Sequence, residues 1–218
     1  MKYVFLAIFV VSSIIHLWAS YVKNKKVRAY SKPFIILALA FWYVCTTGKI
    51  SAVVILALFF SWLGDVLLIP EGVKWFTAGG ISFLISHLFF IMCYAPQVDF
   101  AKVGILPAVL IALVYITAAT FIFKGLKPHL PKALFYPMYL YLLINGTMNC
   151  FACYQLISIP CLATAITFIG AMLFFASDSI LFYVRFSKET RWKSHFPVMI
   201  TYILSEFFIV LGIILLKG

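Results

Sequence analysis

Charge is scarce in this chain, and negative charge is scarcest. Of 218 residues only 11% are Asp, Glu, Lys or Arg, and six of them are acidic, whereas about a quarter of an ordinary soluble domain is charged. A surface with so few charges would not stay in water, which excludes a soluble enzyme or binding module. The sequence has no Gly-rich phosphate loop, no Gly-x-Ser-x-Gly elbow and no nucleotide fingerprint, which argues against the familiar phosphoryl- and acyl-transfer sites. The four histidines, His16, His87, His129 and His195, include no pair at the i, i+4 spacing of a helical zinc motif, so no metal and no cofactor is expected. The five cysteines show no disulfide-scaffold spacing, and Cys150-x-x-Cys153 lies inside an apolar run without a thioredoxin-like context.

Apolar length is what the chain does have. Hydrophobic residues make up 65% of it and its mean hydropathy is +1.11, which together predict an all-α polytopic membrane protein. Runs long enough to cross about 30 Å of hydrocarbon, roughly 17–25 residues each, fall near 3–22, 33–48, 50–69, 75–95, 104–123, 133–154, 160–183 and 197–216. Eight transmembrane helices in one bundle would leave little outside the bilayer, so residues 1–218 are expected to form a single transmembrane domain. The first run lacks a cleavage site and is followed at once by Lys23, Lys25, Lys26 and Arg28, which predicts a retained anchor rather than a signal peptide. The net charge of +11 then reports topology rather than nucleic acid. Thirteen Lys and Arg follow spans one, three, five and seven, against four on the other side. The positive-inside rule puts the thirteen in the cytoplasm and both termini outside.

Three acids interrupt the apolar runs: Asp65, Asp178 and Glu206. An ionisable group in a spanning helix costs at least about 2.5–3.5 kcal/mol at its centre and marks a functional cavity by default. No Lys or Arg falls within any of the eight runs. Burial without a cation favours the neutral acid, the form that general acid catalysis uses. Asp65 precedes Glu71 by six residues and Asp178 precedes Arg185 by seven, which places both about 9–11 Å below the cytoplasmic boundary at 1.5 Å per residue. Both helices run outside to inside, and Leu63-Gly64-Asp65-Val66-Leu67-Leu68 resembles Ala176-Ser177-Asp178-Ser179-Ile180-Leu181. Spans three and seven stand four helices apart, as a parallel four-plus-four repeat requires. Glu206 lies deeper, one turn from Tyr202 on the same face.

Further polar positions cluster near these acids. Tyr141, Asn145 and Asn149 form a stripe on the sixth span, and His87 lies in the fourth; each suits either a cavity wall or interhelical packing. Lys32, Lys74 and Lys132 stand at cytoplasmic helix ends, where topology accounts for them and a lipid phosphate could meet them. The pieces then resemble a known family. Lys32-Pro33 opens the second span, Gly64-Asp65-Val66-Leu67-Leu68 lies in the third and Phe76-x2-Gly79-x3-Phe83-x3-His87 in the fourth. Tyr141-x6-Met148-x3-Ala152, Gly170-x3-Phe174-x2-Ser177-Asp178 and Thr201-Tyr202 follow in order. Over essentially its whole length the chain resembles the YhhN-like membrane proteins, the lysoplasmalogenase family. Glu206 stands where that family is expected to carry Gln.

The resemblance implies hydrolysis of the vinyl-ether bond of lysoplasmalogens, giving a fatty aldehyde and glycerophosphoethanolamine or glycerophosphocholine. Asp65 and Asp178 would be the catalytic pair, one acid and one carboxylate as in glycosidases. Lys32, His87, Tyr141, Asn145, Tyr202 and Glu206 are the candidates to bind the lysophospholipid, which would enter from the inner leaflet with its phosphate near Lys32 or Lys132. The residues by themselves suit a second class equally well, a proton-coupled transporter that uses the same acids as relays. The compact chain without eukaryotic targeting signals is expected in a bacterial inner membrane, or in the endoplasmic reticulum if eukaryotic.

Overall fold

The computed structural model describes residues 1–187 and 195–217; Lys188, Arg191 and Lys193, counted above among the thirteen Lys and Arg, lie outside the described residues. Every regular element among the described residues is helical. Eight are long: α1 (Lys2–Tyr21), α2 (Lys25–Thr46), α3 (Ala52–Leu67), α4 (Val73–Tyr94), α6 (Ile105–Leu126), α7 (Phe135–Ser158), α8 (Leu162–Phe186) and α9 (Phe196–Lys217), with one short turn, α5 (Phe100–Val103), before α6. Six of them, α1, α2, α4, α6, α8 and α9, are long and apolar enough to cross a membrane, so the protein is an integral membrane protein. Of the other two, α3 has 16 residues and α7 carries the Tyr141-Asn145-Asn149 stripe.

Local chemistry sets where the helices begin. Asn24 caps α2 by accepting a hydrogen bond from the Val27 amide at 3.2 Å, satisfying a donor that a helix start leaves free. The helix therefore begins eight residues before Pro33, where the apolar run starts, and Pro33 falls inside it. Pro33 cannot donate to the carbonyl one turn back, while its own carbonyl accepts from the Trp62 indole at 3.1 Å and ties α3 to α2. This corrects the expectation that no basic residue lies within a spanning helix, because Lys32 is a helical residue of α2.

One continuous hydrophobic cluster takes residues from all eight long helices, with Phe9, Leu39, Leu58, Phe90, Ala119, Leu142, Phe174 and Ile209 among them. Small residues set the closest crossings, as is usual where lipid supplies no hydrophobic drive for association. A Cβ on Gly170 of α8 would lie 2.8 Å from the Ile209 amide nitrogen of α9, and one on Gly212 would lie 2.6 Å from the Ala163 carbonyl oxygen. At the α3–α4 crossing a Cβ on Gly64 would lie 2.7 Å from the Phe83 ring. In contrast α6 stands at the periphery, with Ala119 and Leu126 as its buried residues.

Candidate functional site

Asp65, near the end of α3, is 1% exposed, and Asp178 on α8 is 5% exposed. Both line one cavity of about 280 Å³ that opens at the end of the bundle carrying Lys25, Glu71, Gly72 and Arg185. The two acids, carried by different helices, thus reach one space. Lys32 and Tyr202 line it too.

The two carboxylates are held differently. Asp65 takes a cation on one oxygen and a hydroxyl on the other. The Lys32 ammonium from α2 lies 3.1 Å from Oδ1, and the Tyr202 hydroxyl from α9 donates to Oδ2 at 2.9 Å. The pair is screened from solvent, with side-chain exposures of 14% for Lys32 and 2% for Asp65. Asp178 concentrates its hydrogen bonds on one oxygen. Oδ2 accepts from the Tyr141 hydroxyl at 2.6 Å and from the Asn145 amide at 2.8 Å, both from α7. The His87 imidazole of α4 stands behind them, with Nε2 3.6 Å from Oδ2, too far for a hydrogen bond.

Aromatic rings pack around the two aspartates and their partners. Phe83, Phe174 and Tyr202 meet edge to face with centroids 5.6–6.2 Å apart. His87 packs against Phe174 at 4.7 Å and Tyr141 at 5.4 Å. Such edge-to-face contacts fix ring positions, which holds Tyr202 and Tyr141 on their aspartates.

The sequence-predicted site residues divide into three groups. Asp65, Asp178, Lys32 and Tyr202 face the cavity. Tyr141, Asn145 and His87 support Asp178 from behind it. Glu206 lies deeper, fully buried, against Ser61 without a well-formed hydrogen bond. Asn149, the third residue of the stripe, bonds back to Asn145 at 3.0 Å. Lys132 is exposed, and the residues around the cavity do not include it. Among the described residues no three His, Cys, Asp or Glu side chains converge as metal ligands, and none of the five cysteines is in a disulfide.

Sequence reasoning missed the basic rim of this cavity, formed by His16, Lys25, Arg28, Arg185 and His195. Lys25, Arg28 and Lys32 recur at intervals of three and four residues and so share one helix face, a signal that emerges only once α2 begins at Lys25. The positive potential of the rim shows in its loop residues. Burial, together with Arg28, Lys32, Arg185 and Lys25, holds the His195 imidazole down to about 4, so it is neutral at pH 7. Glu71, bonded by Lys25 at 2.7 Å, is held below the usual carboxylate range by that bond and the lysine's charge.

A second space adjoins the first. An apolar groove of about 560 Å³ runs between α4, α7 and α8, past Ile81, Leu84, Met138, Leu143 and Phe186. Phe76 borders both spaces, and Tyr141 contributes to the groove while its hydroxyl reaches Asp178.

Fold and site together define a helical integral membrane protein that presents two buried aspartates to one polar cavity beside an apolar groove. The YhhN family profile matches residues 27–213, and the chain belongs to the YhhN family. All the site residues described above fall within that match except His16 and Lys25. No match was found among curated proteins or among solved structures.

Proposed function

We propose that this protein is a lysoplasmalogenase-like hydrolase that cleaves the vinyl-ether bond of single-chain ether phospholipids by acid catalysis between Asp178 and Asp65. The observation that carries the reading is the unlike environment of two aspartates at one cavity. One is paired with an ammonium and the other is held by uncharged donors. Family membership supports it, as does the adjoining polar cavity and apolar groove, which suit the headgroup and chain of an amphiphile.

In this mechanism Asp178 is the neutral acid. Its Oδ2 accepts two hydrogen bonds as a carbonyl oxygen does, leaving the Oδ1 hydroxyl to protonate the β-carbon of the vinyl ether. The resulting oxocarbenium ion is stabilised by Asp65, kept as a carboxylate by Lys32. Asp65 then takes a proton from the water that adds to the cationic carbon, giving a hemiacetal. In the collapse Asp178 removes the hemiacetal hydroxyl proton and Asp65 returns its proton to the departing glycerol oxygen. One water is consumed, a fatty aldehyde and a glycerophosphoester are released, and both aspartates regain their starting states.

The same proposal takes all eight long helices as spanning, with both termini outside and the cavity mouth cytoplasmic, so that substrate enters from the inner leaflet. A parallel four-plus-four arrangement belongs to it. Asp65 draws one partner from the preceding helix, α2, and one from α9; Asp178 draws partners from the preceding helix, α7, and from α4.

The test is aldehyde release from lysoplasmenylethanolamine by purified protein in detergent, with EDTA, Asp65→Asn and Asp178→Asn as controls. We expect turnover that survives EDTA and falls at least a thousandfold in either variant without loss of the folded state. Near-wild-type rates in either variant would sink the assignment. Solute or proton movement in sealed vesicles, with no aldehyde in detergent, would favour a transporter using the same acids as relays.

A further inference from the structure

The cavity mouth contains more recognition chemistry than the two aspartates use. Of its cations, Lys25 is engaged by Glu71 and Lys32 by Asp65. Arg28 and Arg185 have no carboxylate within ion-pair distance among the described residues. Arg185 is spread over the Phe76 ring, 5.6 Å from its centroid. Arg28 is half-buried, and its Nε is enclosed without a hydrogen-bond partner. An enclosed guanidinium with unused donors suits a phosphate, whose oxygens its planar fork matches.

Beside it stands His16 of α1, 1% exposed. Its Nδ1 lies 2.9 Å from the Ser31 hydroxyl oxygen. The Ser31 hydroxyl donates its one hydrogen to the Val27 carbonyl at 2.8 Å. His16 is therefore the donor to Ser31, which assigns the proton to Nδ1. Nε2, on a ring that borders the cavity, has no partner and is an acceptor in the neutral ring. A buried acceptor next to a half-buried guanidinium calls for a ligand that brings a hydroxyl and an anion together.

We propose that Arg28 and His16 form a seat for the glycerol backbone of a lysophospholipid: the Arg28 guanidinium takes the phosphate, and His16 Nε2 accepts from the free sn-2 hydroxyl. The inference rests on the vinyl-ether hydrolase reading and deepens it by naming what selects the lyso form. A lipid acylated at sn-2 has no hydrogen to donate there, so it would leave the buried Nε2 unpaired and bring an acyl chain to a polar wall. Sites built to bond a substrate hydroxyl reject analogues that lack it.

The experiment compares kcat/KM for three substrates: the 1-alkenyl lysophosphoethanolamine, its sn-2 O-methyl ether and the phosphate-free 1-alkenylglycerol. The seat requires the wild type to prefer the first by at least tenfold over each analogue. Arg28→Gln should shrink the preference for phosphate at least tenfold, through KM. His16→Asn keeps a donor where Nδ1 lies and removes Nε2, and should shrink the preference for the hydroxyl to a similar extent. Lys49→Gln, in the exposed turn between α2 and α3 and away from the cavity, should change neither ratio. Unchanged ratios in Arg28→Gln and His16→Asn overturn the seat and leave hydrolysis standing. Should Arg28→Gln fail to fold, Arg28→Lys, which keeps the charge and loses the fork, should move the phosphate ratio in the same direction.

A binding arm needs no turnover. Calorimetric titration with sn-glycero-3-phosphoethanolamine should show binding that weakens at least tenfold in Arg28→Gln. If no vinyl ether is cleaved, that result upholds the seat while the hydrolase reading fails. Equal binding by wild type and Arg28→Gln overturns the seat. Inorganic phosphate bound as tightly as the glycerophosphoester, with no effect of His16→Asn, marks a free-phosphate site and overturns the lipid assignment.

Discussion

At Asp65 a single ammonium group decides the local electrostatics. Lys32 and Asp65 are both shielded from water, and removing one partner of a buried ion pair leaves a charge with no compensation, which typically costs about 3–5 kcal/mol. Lys32→Met is therefore expected to lower the melting temperature in detergent markedly. The double variant Lys32→Met/Asp65→Asn, which removes both charges, should recover most of that loss although its activity does not return. If the double variant melts no higher than Lys32→Met, the Lys32 side chain acts by packing rather than by charge. The acids themselves were legible in the sequence because a carboxylate in an apolar run is costly and marks a functional cavity by default. Their partners were not equally so. Tyr141 and Asn145 were visible as a stripe, whereas Lys32 stood at a helix end as a contact for lipid phosphate rather than for Asp65, and the orientation of His16 depends on a serine fifteen residues away.

At the level of helices, boundaries were the part that sequence resolved least well. Apolar runs mark the hydrocarbon crossing, and a helix that continues into the headgroup layer carries Lys and Arg that break the run without breaking the helix. The start of α2 shows this, since its cap at Asn24 lies outside any apolar signal. The close crossing of α8 and α9 was likewise hidden, because a glycine in a spanning helix reads the same whether it faces lipid or a neighbouring backbone. Gly212 and Gly80 separate these cases. A Cβ on Gly212 would meet the Ala163 carbonyl oxygen at 2.6 Å, and one on Gly80 would meet nothing within 4 Å. Gly212→Leu should drive α9 from α8 at a cost of about 1–3 kcal/mol, the usual range for overpacking. It should also lower activity by moving Tyr202 away from Asp65. Gly80→Ala should be neutral or slightly stabilising, since alanine favours an exposed helix by about 0.5–1 kcal/mol. Thermal melting of the two variants beside wild type checks the contrast, and equal melting temperatures would contradict the crossing.

Across the whole molecule the site makes sense only with a sidedness. A cavity whose rim is Lys25, Arg28, Arg185 and His195 should open where basic residues accumulate, on the cytoplasmic face. The far end of the bundle offers a native reporter. Cys161, the residue before α8, is exposed, while the other four cysteines are buried or partly so. The Thr164 hydroxyl beside it, with backbone hydrogen bonding, holds its thiol below the usual range, which raises the thiolate fraction that reacts with maleimide. If eight helices span with both termini outside, a membrane-impermeant maleimide should label Cys161 on intact cells. Lys74→Cys in a Cys161→Ser background, next to the cavity mouth, should label only after permeabilisation. Labelling of both from the same side would mean an even number of crossings between residues 74 and 161 in place of the three assigned here. The cavity would then open away from the lipid leaflet that this mechanism draws on, and hydrolysis of an inner-leaflet lysolipid would lose its route to the aspartates.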